Sequence, residues 1–275
     1  MLITGIRRIL LILVLSCFAL LGLGYFYTPK IDMPDDQVIQ ASMNTLVKKE
    51  GHILKNEDFA YQVSETLAVK NFANPLSAFS FHSLSDSDSP FKIQLITDLG
   101  PIDLTFQMEP TSLSEITGFN EKYRITYLAH ILENGRVNIS LTSEKSYKFR
   151  FVFSASPGKN RQYAIMDNEI KYLSMSAPIE ASGQFKWFGI DFDEHLFAIV
   201  FKEKTAIKYK ISETGQMSLE TNMPSNTLSA DLVFTKKDYD LLVGLGKDLK
   251  LAVDFGFFDL LKIHLKHGVQ FLLGK

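Results

Sequence analysis

From Phe59 to Phe234 apolar and polar residues take turns along the chain. Ile102, Leu104, Phe106 and Met108 are separated by Asp103, Thr105 and Gln107. Tyr123, Ile125, Tyr127, Ala129 and Ile131 hold every second place, with Arg124, Thr126 and His130 among the residues between them. Val137, Ile139 and Leu141 follow the same rule, as do Tyr147, Phe149, Phe151 and Phe153 around Lys148 and Arg150, and Ile207, Tyr209 and Ile211 around Lys208 and Lys210. A period of two sends alternate side chains to opposite faces, so each segment is predicted to be a strand with one buried and one wet face. Asn134-Gly135 stands between two such runs. That pair tolerates positive φ at both central turn positions and predicts a hairpin. Ser156-Pro157-Gly158 predicts a turn, and Asp86-Ser87-Asp88-Ser89-Pro90 a polar loop. Many strands with short turns and no helical period between them predict a mainly β fold, a large antiparallel sandwich over residues 59–234.

After Phe234 the period changes. Leu241, Leu242, Leu245, Leu249 and Val253 fall on one helical stripe, which predicts a helix over 235–254. Gly256 interrupts it, and a second helix is expected over 255–275. There Phe257, Leu261 and Leu265 share one face and Lys262, Lys266 and Gln270 another, while Phe258 extends the apolar side. Apolar residues opposite lysines suit a helix lying in a membrane interface, so Phe257, Phe258, Leu261, Lys262, Leu265 and Lys266 are the candidate interface residues. The competing reading is a terminal helix packed on the sandwich. Val269 to Leu273 is too short to span a bilayer.

Ile9 to Tyr27 carries no charge, and at about 1.5 Å per residue it matches the roughly 30 Å core of a bilayer. Arg7 and Arg8 precede it, and Lys30, Asp32, Asp35 and Asp36 follow, which sets the N-terminus in the cytoplasm and the remainder outside. Residues 1–27 are therefore expected to form a cytoplasmic tip and single transmembrane anchor, and 28–58 a polar linker. A cleaved signal peptide would need a better site than Leu23-Gly24-Tyr25. Val14-Leu15-Ser16-Cys17 is a weak lipoprotein box, with a bulky Leu15 and a long apolar stretch after Cys17. Cys17 is the single cysteine, so no intrachain disulfide framework exists and stability must come from a hydrophobic core. With 46% hydrophobic and 22% charged residues, and 22 phenylalanines, the composition is that of a packed domain. A net charge of -2 gives no footprint for nucleic acid.

Candidate chemistry is sparse. No phosphate loop, dinucleotide fingerprint, zinc motif or nucleophile elbow occurs, so the chain is expected not to be an enzyme and to use no cofactor or metal. Of the histidines His52, His82, His130, His195, His264 and His267, the last two stand one helical turn apart but lack a third ligand nearby. His130 falls on the wet face of its strand. Asp191, Asp193 and Glu194 lack the glycine and late glutamate of a calcium loop and are expected to form a solvated connection before the apolar run Leu196 to Val200.

Two stretches carry a family resemblance. Gln184-Phe185-Lys186-Trp187-Phe188-Gly189-Ile190, leading into His195-Leu196-Phe197-Ala198, resembles a Gly-Gly-Trp-apolar-Gly-apolar segment followed by Tyr-Phe at a strand start, with Trp187, Gly189 and Phe197 in the matching places. Leu232 to Leu242, then Leu245-Gly246-Lys247-Asp248-Leu249 and Asp254-Phe255-Gly256, resembles a strand, a Gly-Pro-Lys-Asp turn, a helix and an Asp-Phe-Gly segment. Lys237, Asp238, Leu242, Gly246, Asp254, Phe255 and Gly256 match; Phe185-Lys186, Leu196 and Thr235-Lys236 depart from the pattern. This order is similar to the end of the periplasmic domain of the YidC/Oxa membrane-protein insertases. The resemblance implies a β-supersandwich like that of galactose mutarotases. It further implies an inner-membrane location with a periplasmic domain, and a role in inserting and folding inner-membrane proteins. Its partners would be the Sec translocon, nascent inner-membrane proteins and the lipid bilayer. Family members continue into five further membrane helices with a charged groove, which this sequence does not contain, so no groove residue transfers. A carbohydrate-binding or mutarotase-like envelope protein is the alternative; it predicts a groove bearing a histidine and a carboxylate.

Overall fold

The computed structural model describes residues 51–56, 59–74, 79–82, 89–133, 135–154, 162–192 and 195–252. The expected anchor, Cys17, Asn134, the Ser156 turn, Asp193, Glu194, Asp254 to Gly256, the interface residues Phe257 to Lys266, and both terminal histidines lie outside them. Among the described residues no helix is long and apolar enough to cross a membrane.

The fold is mainly antiparallel β. A four-stranded sheet runs in simple order through β1 (His52–Lys55), β2 (Ala60–Val63), β3 (Val69–Asn74) and β4 (Phe79–His82). Its first strand falls inside the expected 28–58 linker: Ile53 and Leu54 pair with Gln62 and Tyr61 and Leu54 is buried, so residues 52–55 belong to the sheet.

Twelve further strands form one hydrogen-bonded system: β5 (Phe91–Thr97), β6 (Gly100–Asp103), β7 (Gln107–Pro110), β8 (Glu115–Asn120), β9 (Ile125–Ile131), β10 (Arg136–Phe153), β11 (Gln162–Met166), β12 (Ile170–Leu173), β13 (Ile179–Asp191), β14 (His195–Ile211), β15 (Met217–Thr221) and β16 (Ser225–Lys236). Register divides the system into two arrays. The first runs β7-β8-β9, the first half of β10, β16, the first half of β14, the second half of β13, then β11-β12. The second runs β6-β5, the second half of β10, β15, the second half of β14, and the first half of β13. Strands β10, β13 and β14 belong to both. The passage shows as register shifts between Thr142 and Tyr147 and between Phe185 and Trp187, where extra residues bend a strand.

The alternation seen in the sequence decides which side chains meet. Ile139, Phe197, Leu232 and Tyr163 of the first array and Phe151, Phe153, Met217 and Leu219 of the second enter one buried cluster, so the arrays are the layers of a sandwich. Phe59, just before β2, and Tyr61 and Phe72 of the small sheet join it, with the Phe72 ring stacked 3.4 Å from Phe234 and Phe234 stacked 4.0 Å from Phe197. The Ile102 to Met108 stretch keeps its burial rhythm but is two strands, not one. The chain turns away at Leu104 to Phe106, where the Phe106 N–H bonds the Glu65 carbonyl and the Asn120 amide bonds the Thr105 carbonyl. Val137 to Leu141 and Tyr147 to Phe153 are conversely one strand, β10. The helix expected over 235–254 is also shorter. β16 runs to Lys236, α1 spans Tyr239–Leu245, and after Gly246 a single 3-10 turn covers Leu249–Ala252.

Candidate functional site

Strands of the first array have a second face, turned away from the core, and it is built in two halves. In one half it is apolar. Ala164 and Met166 of β11, Trp187 of β13, Leu196, Ala198 and Val200 of β14, and Val233 of β16 form a separate buried cluster. Over it lie Leu242 and Leu245 of α1 and Leu249 and Ala252 of the following turn. This is why Leu196 to Val200 is apolar without alternation: one set of side chains faces the sandwich core and the other faces α1.

Local chemistry fixes this cover. Asp238 caps α1, its carboxylate accepting from the Leu241 N–H at 3.0 Å. Gly246 ends the helix with φ 73, and Lys247 and Asp248 continue in the left-handed region at φ 55 and 62. Both side chains are tied to the sheet beneath, Lys247 donating to the Lys202 carbonyl and Asp248 accepting from Lys186. The Lys186 hydrogen bond holds the Asp248 carboxyl below its usual range. Lys237 reaches Asp191 at 2.9 Å, with side chains only 11% and 5% exposed. Asp191 is therefore not part of a solvated connection, as its neighbours Asp193 and Glu194 suggested, but one half of a buried ion pair. Gly189 lies where β13 and β14 approach closely: a Cβ there would stand 2.5 Å from the Phe197 carbonyl oxygen. Of the motif residues, Trp187, Gly189, Lys237, Asp238, Leu242 and Gly246 thus meet at this cover, while the Phe197 side chain turns into the main core.

In the other half the outward face is polar and open. Register sets Glu115 of β8 opposite His130 of β9, His130 opposite Asn138 of β10, and Asn138 opposite Asp231 of β16. Asp231 in turn sits opposite Val200, which is opposite Trp187, so this row runs straight up to the covered half. His130 Nδ1 is 3.6 Å from Glu115, the Asn138 amide donates to Asp231 at 2.6 Å, and Arg136 is 3.8 Å from Asp231. These side chains stay partly exposed. The next row is Thr117, Leu128, Ser140 and Ser229. His130 lies on the wet face, as its parity indicated. Glu115, Asn138 and Asp231 were not singled out by the sequence, although each occupies a polar, outward place in its own alternating run.

No family model matches the chain, and neither does any curated protein. Solved structures overlap it loosely. A galactose mutarotase related enzyme from Lactobacillus acidophilus shares 8% identity over 67% of this chain and 97% of its own, with a TM-score of 0.43. A GalM/aldose epimerase homologue from C. elegans shares 6% over 68% of this chain and 98% of its own, at 0.39. An α-N-acetylgalactosaminidase from Bifidobacterium bifidum shares 10% over 67% of this chain, at 0.48; the chain spans 36% of that protein's length. All three are enzymes or an enzyme homologue by name, which stands against the expectation that the chain is not an enzyme, and that expectation is not kept.

Proposed function

We propose that this chain carries the periplasmic domain of a membrane-protein insertase of the YidC/Oxa type, held at the inner membrane. There it would assist insertion through contacts with the Sec translocon, nascent membrane proteins and the bilayer. The observation that supports this reading is the assembly of the α1 cover. The two stretches that carry the resemblance are far apart in sequence, yet they supply the sheet face and the helix of one cluster, joined by the buried Lys237–Asp191 pair. The described part of the cover runs to Ala252, and the candidate interface residues follow in the sequence. The test is co-purification of the full chain with translocon components from membranes. Removing residues 257–275 is expected to abolish it, and unchanged recovery would sink the reading.

A second reading, carbohydrate binding, has its own observation in the histidine and carboxylates of the polar row. Titration of the full chain with sugars separates the two, since the insertase reading requires no sugar.

A further inference from the structure

One edge of the second array is left open. Residues 187–191 of β13 lie between β14 and β11, but Ile179 to Phe185 pair with β14 alone among the described strands. Hydrogen-bond parity shows where the free main-chain groups of this edge point. The Asn222 N–H donates to the Ala206 carbonyl and, just past β14, the Ser212 N–H donates to the Gln216 carbonyl, so the even-numbered residues here face β15. The odd-numbered residues Thr205, Ile207, Tyr209 and Ile211 therefore face β13, opposite Phe185, Gly183, Ala181 and Ile179. Glu180, Ser182 and Gln184 remain, each exposed and each holding its N–H and carbonyl outward. The other ends of the two arrays are guarded. β6 carries Pro101 and Asp103, β7 carries Glu109 and Pro110, and β12 carries Lys171 and is tied through Tyr172 to the Ala252 carbonyl. The open part of β13 holds no proline, and its one charge, Glu180, is engaged by Lys208 at 2.6 Å.

We propose that this edge pairs with the same edge of a second copy of the chain, antiparallel and centred on Ser182, to give a symmetric dimer with one continuous sheet. Pairing centred there sets each Ser182 opposite its equivalent, Glu180 opposite Gln184, Ala181 opposite Gly183 and Ile179 opposite Phe185. It is the register that uses the outward groups of Glu180, Ser182 and Gln184 together. A register centred on Glu180 would instead set like charges face to face. On the core side, Ile179 is 38% exposed although its parity turns it inward, and in the pair it gains the Phe185 ring as its cross-strand neighbour. This self-complementarity selects a second copy over an unrelated strand.

The experiment is disulfide trapping and mass measurement on the full chain in detergent. With Cys17→Ser removing the only native thiol, Ser182→Cys is expected to form a covalent dimer on mild oxidation. Directly opposed Cα atoms of a hydrogen-bonded pair stand about 5.5 Å apart, inside the roughly 4.4–6.8 Å that a disulfide spans. Gln184→Cys alone should not trap a dimer, while Glu180→Cys combined with Gln184→Cys should. Light scattering of the unaltered chain should give twice the monomer mass. Ser182→Pro should halve that mass with circular dichroism unchanged, since proline is tolerated where the N–H points off a sheet edge. Should proline disturb the fold, Ser182→Lys opposes two lysines across the pair and should likewise yield monomer. A monomeric unaltered chain, a dimer that survives both Ser182 variants, or trapping by Ser182→Cys no better than by Met223→Cys at an exposed turn each overturns the proposal. Trapping of a different protein through Ser182→Cys, with no homodimer, overturns it as well.

Discussion

The outward face of the first array is one surface with two characters. Across β13, β14 and β11 it is apolar and sealed under α1; across β8, β9 and β10 it is polar and open, and β16 contributes to both, Val233 to the first and Asp231 to the second. Both halves share their strands' backbone geometry, and their inward faces feed one core. The difference is carried entirely by alternate residues, and it teaches that an uninterrupted apolar strand predicts a second layer, whereas strict alternation predicts a free face.

The comparison breaks most sharply at Gly189. Its Cα faces the Phe197 carbonyl across the strand pair, so Gly189→Val must push β13 from β14 instead of bending a side chain. The expected loss exceeds the roughly 3 kcal/mol of ordinary overpacking, and denaturant unfolding of the full chain would show it as failure to reach a folded baseline. Next come truncations beneath the cover. Trp187→Ala and Leu242→Ala should each lower stability by about 2–5 kcal/mol, because both side chains are fully buried in the second cluster. In the open half Ser140→Ala should stay within about 0.5 kcal/mol. Equal losses in both halves would mean that α1 does not seal its side.

Ion pairs sharpen the contrast further. Lys237→Met leaves the Asp191 carboxylate buried without its cation, and the expected loss is about 3–5 kcal/mol. Arg124→Met removes a pair whose side chains are 60% and 68% exposed, and should change stability by less than about 1 kcal/mol. Changing Asp191 to Asn together with Lys237→Met should recover part of the first loss, since the buried carboxylate charge is then removed along with the lysine.

How legible this was in the sequence depends on range. Phe149, Phe151 and Phe153 announced their own burial, and the unbroken run from Leu196 to Val200 announced a strand covered on both faces. Asp191 was misread because its sequence neighbours are acidic, whereas its partner, Lys237, arrives only when β14 pairs with both β13 and β16. Leu249 was placed on the correct face of a continuous helix, but the helix stops at Gly246 and the left-handed Lys247 and Asp248 return Leu249 to the cluster by another path. The polar row was out of reach for a related reason. Parity marks Glu115, His130, Asn138 and Asp231 as outward residues, but only the register of β8, β9, β10 and β16 sets them side by side.

The smallest expected effect concerns the hinge of the cover and uses the fact that Trp187 is the only tryptophan. Asp248 is tied to Lys186, and that hydrogen bond lowers its carboxyl pKa in the folded protein. The unfolded carboxyl titrates near 3.9, so the folded state binds this proton less readily than the unfolded one. The contribution is therefore complete above the unfolded value and is lost as pH falls through the folded one. The pair is partly exposed, at 27% and 40% for the two side chains, so solvent screening keeps the contribution under about 1 kcal/mol. Acidification below pH 4 should loosen α1 over Trp187 ahead of the sandwich, seen as increased acrylamide quenching while far-ultraviolet circular dichroism holds steady. Asp248→Asn should show that quenching already at neutral pH and respond less to acid. If Trp187 instead becomes accessible only together with loss of β signal, the cover and the sandwich open as one unit, and the two halves of this face differ in chemistry but not in local stability.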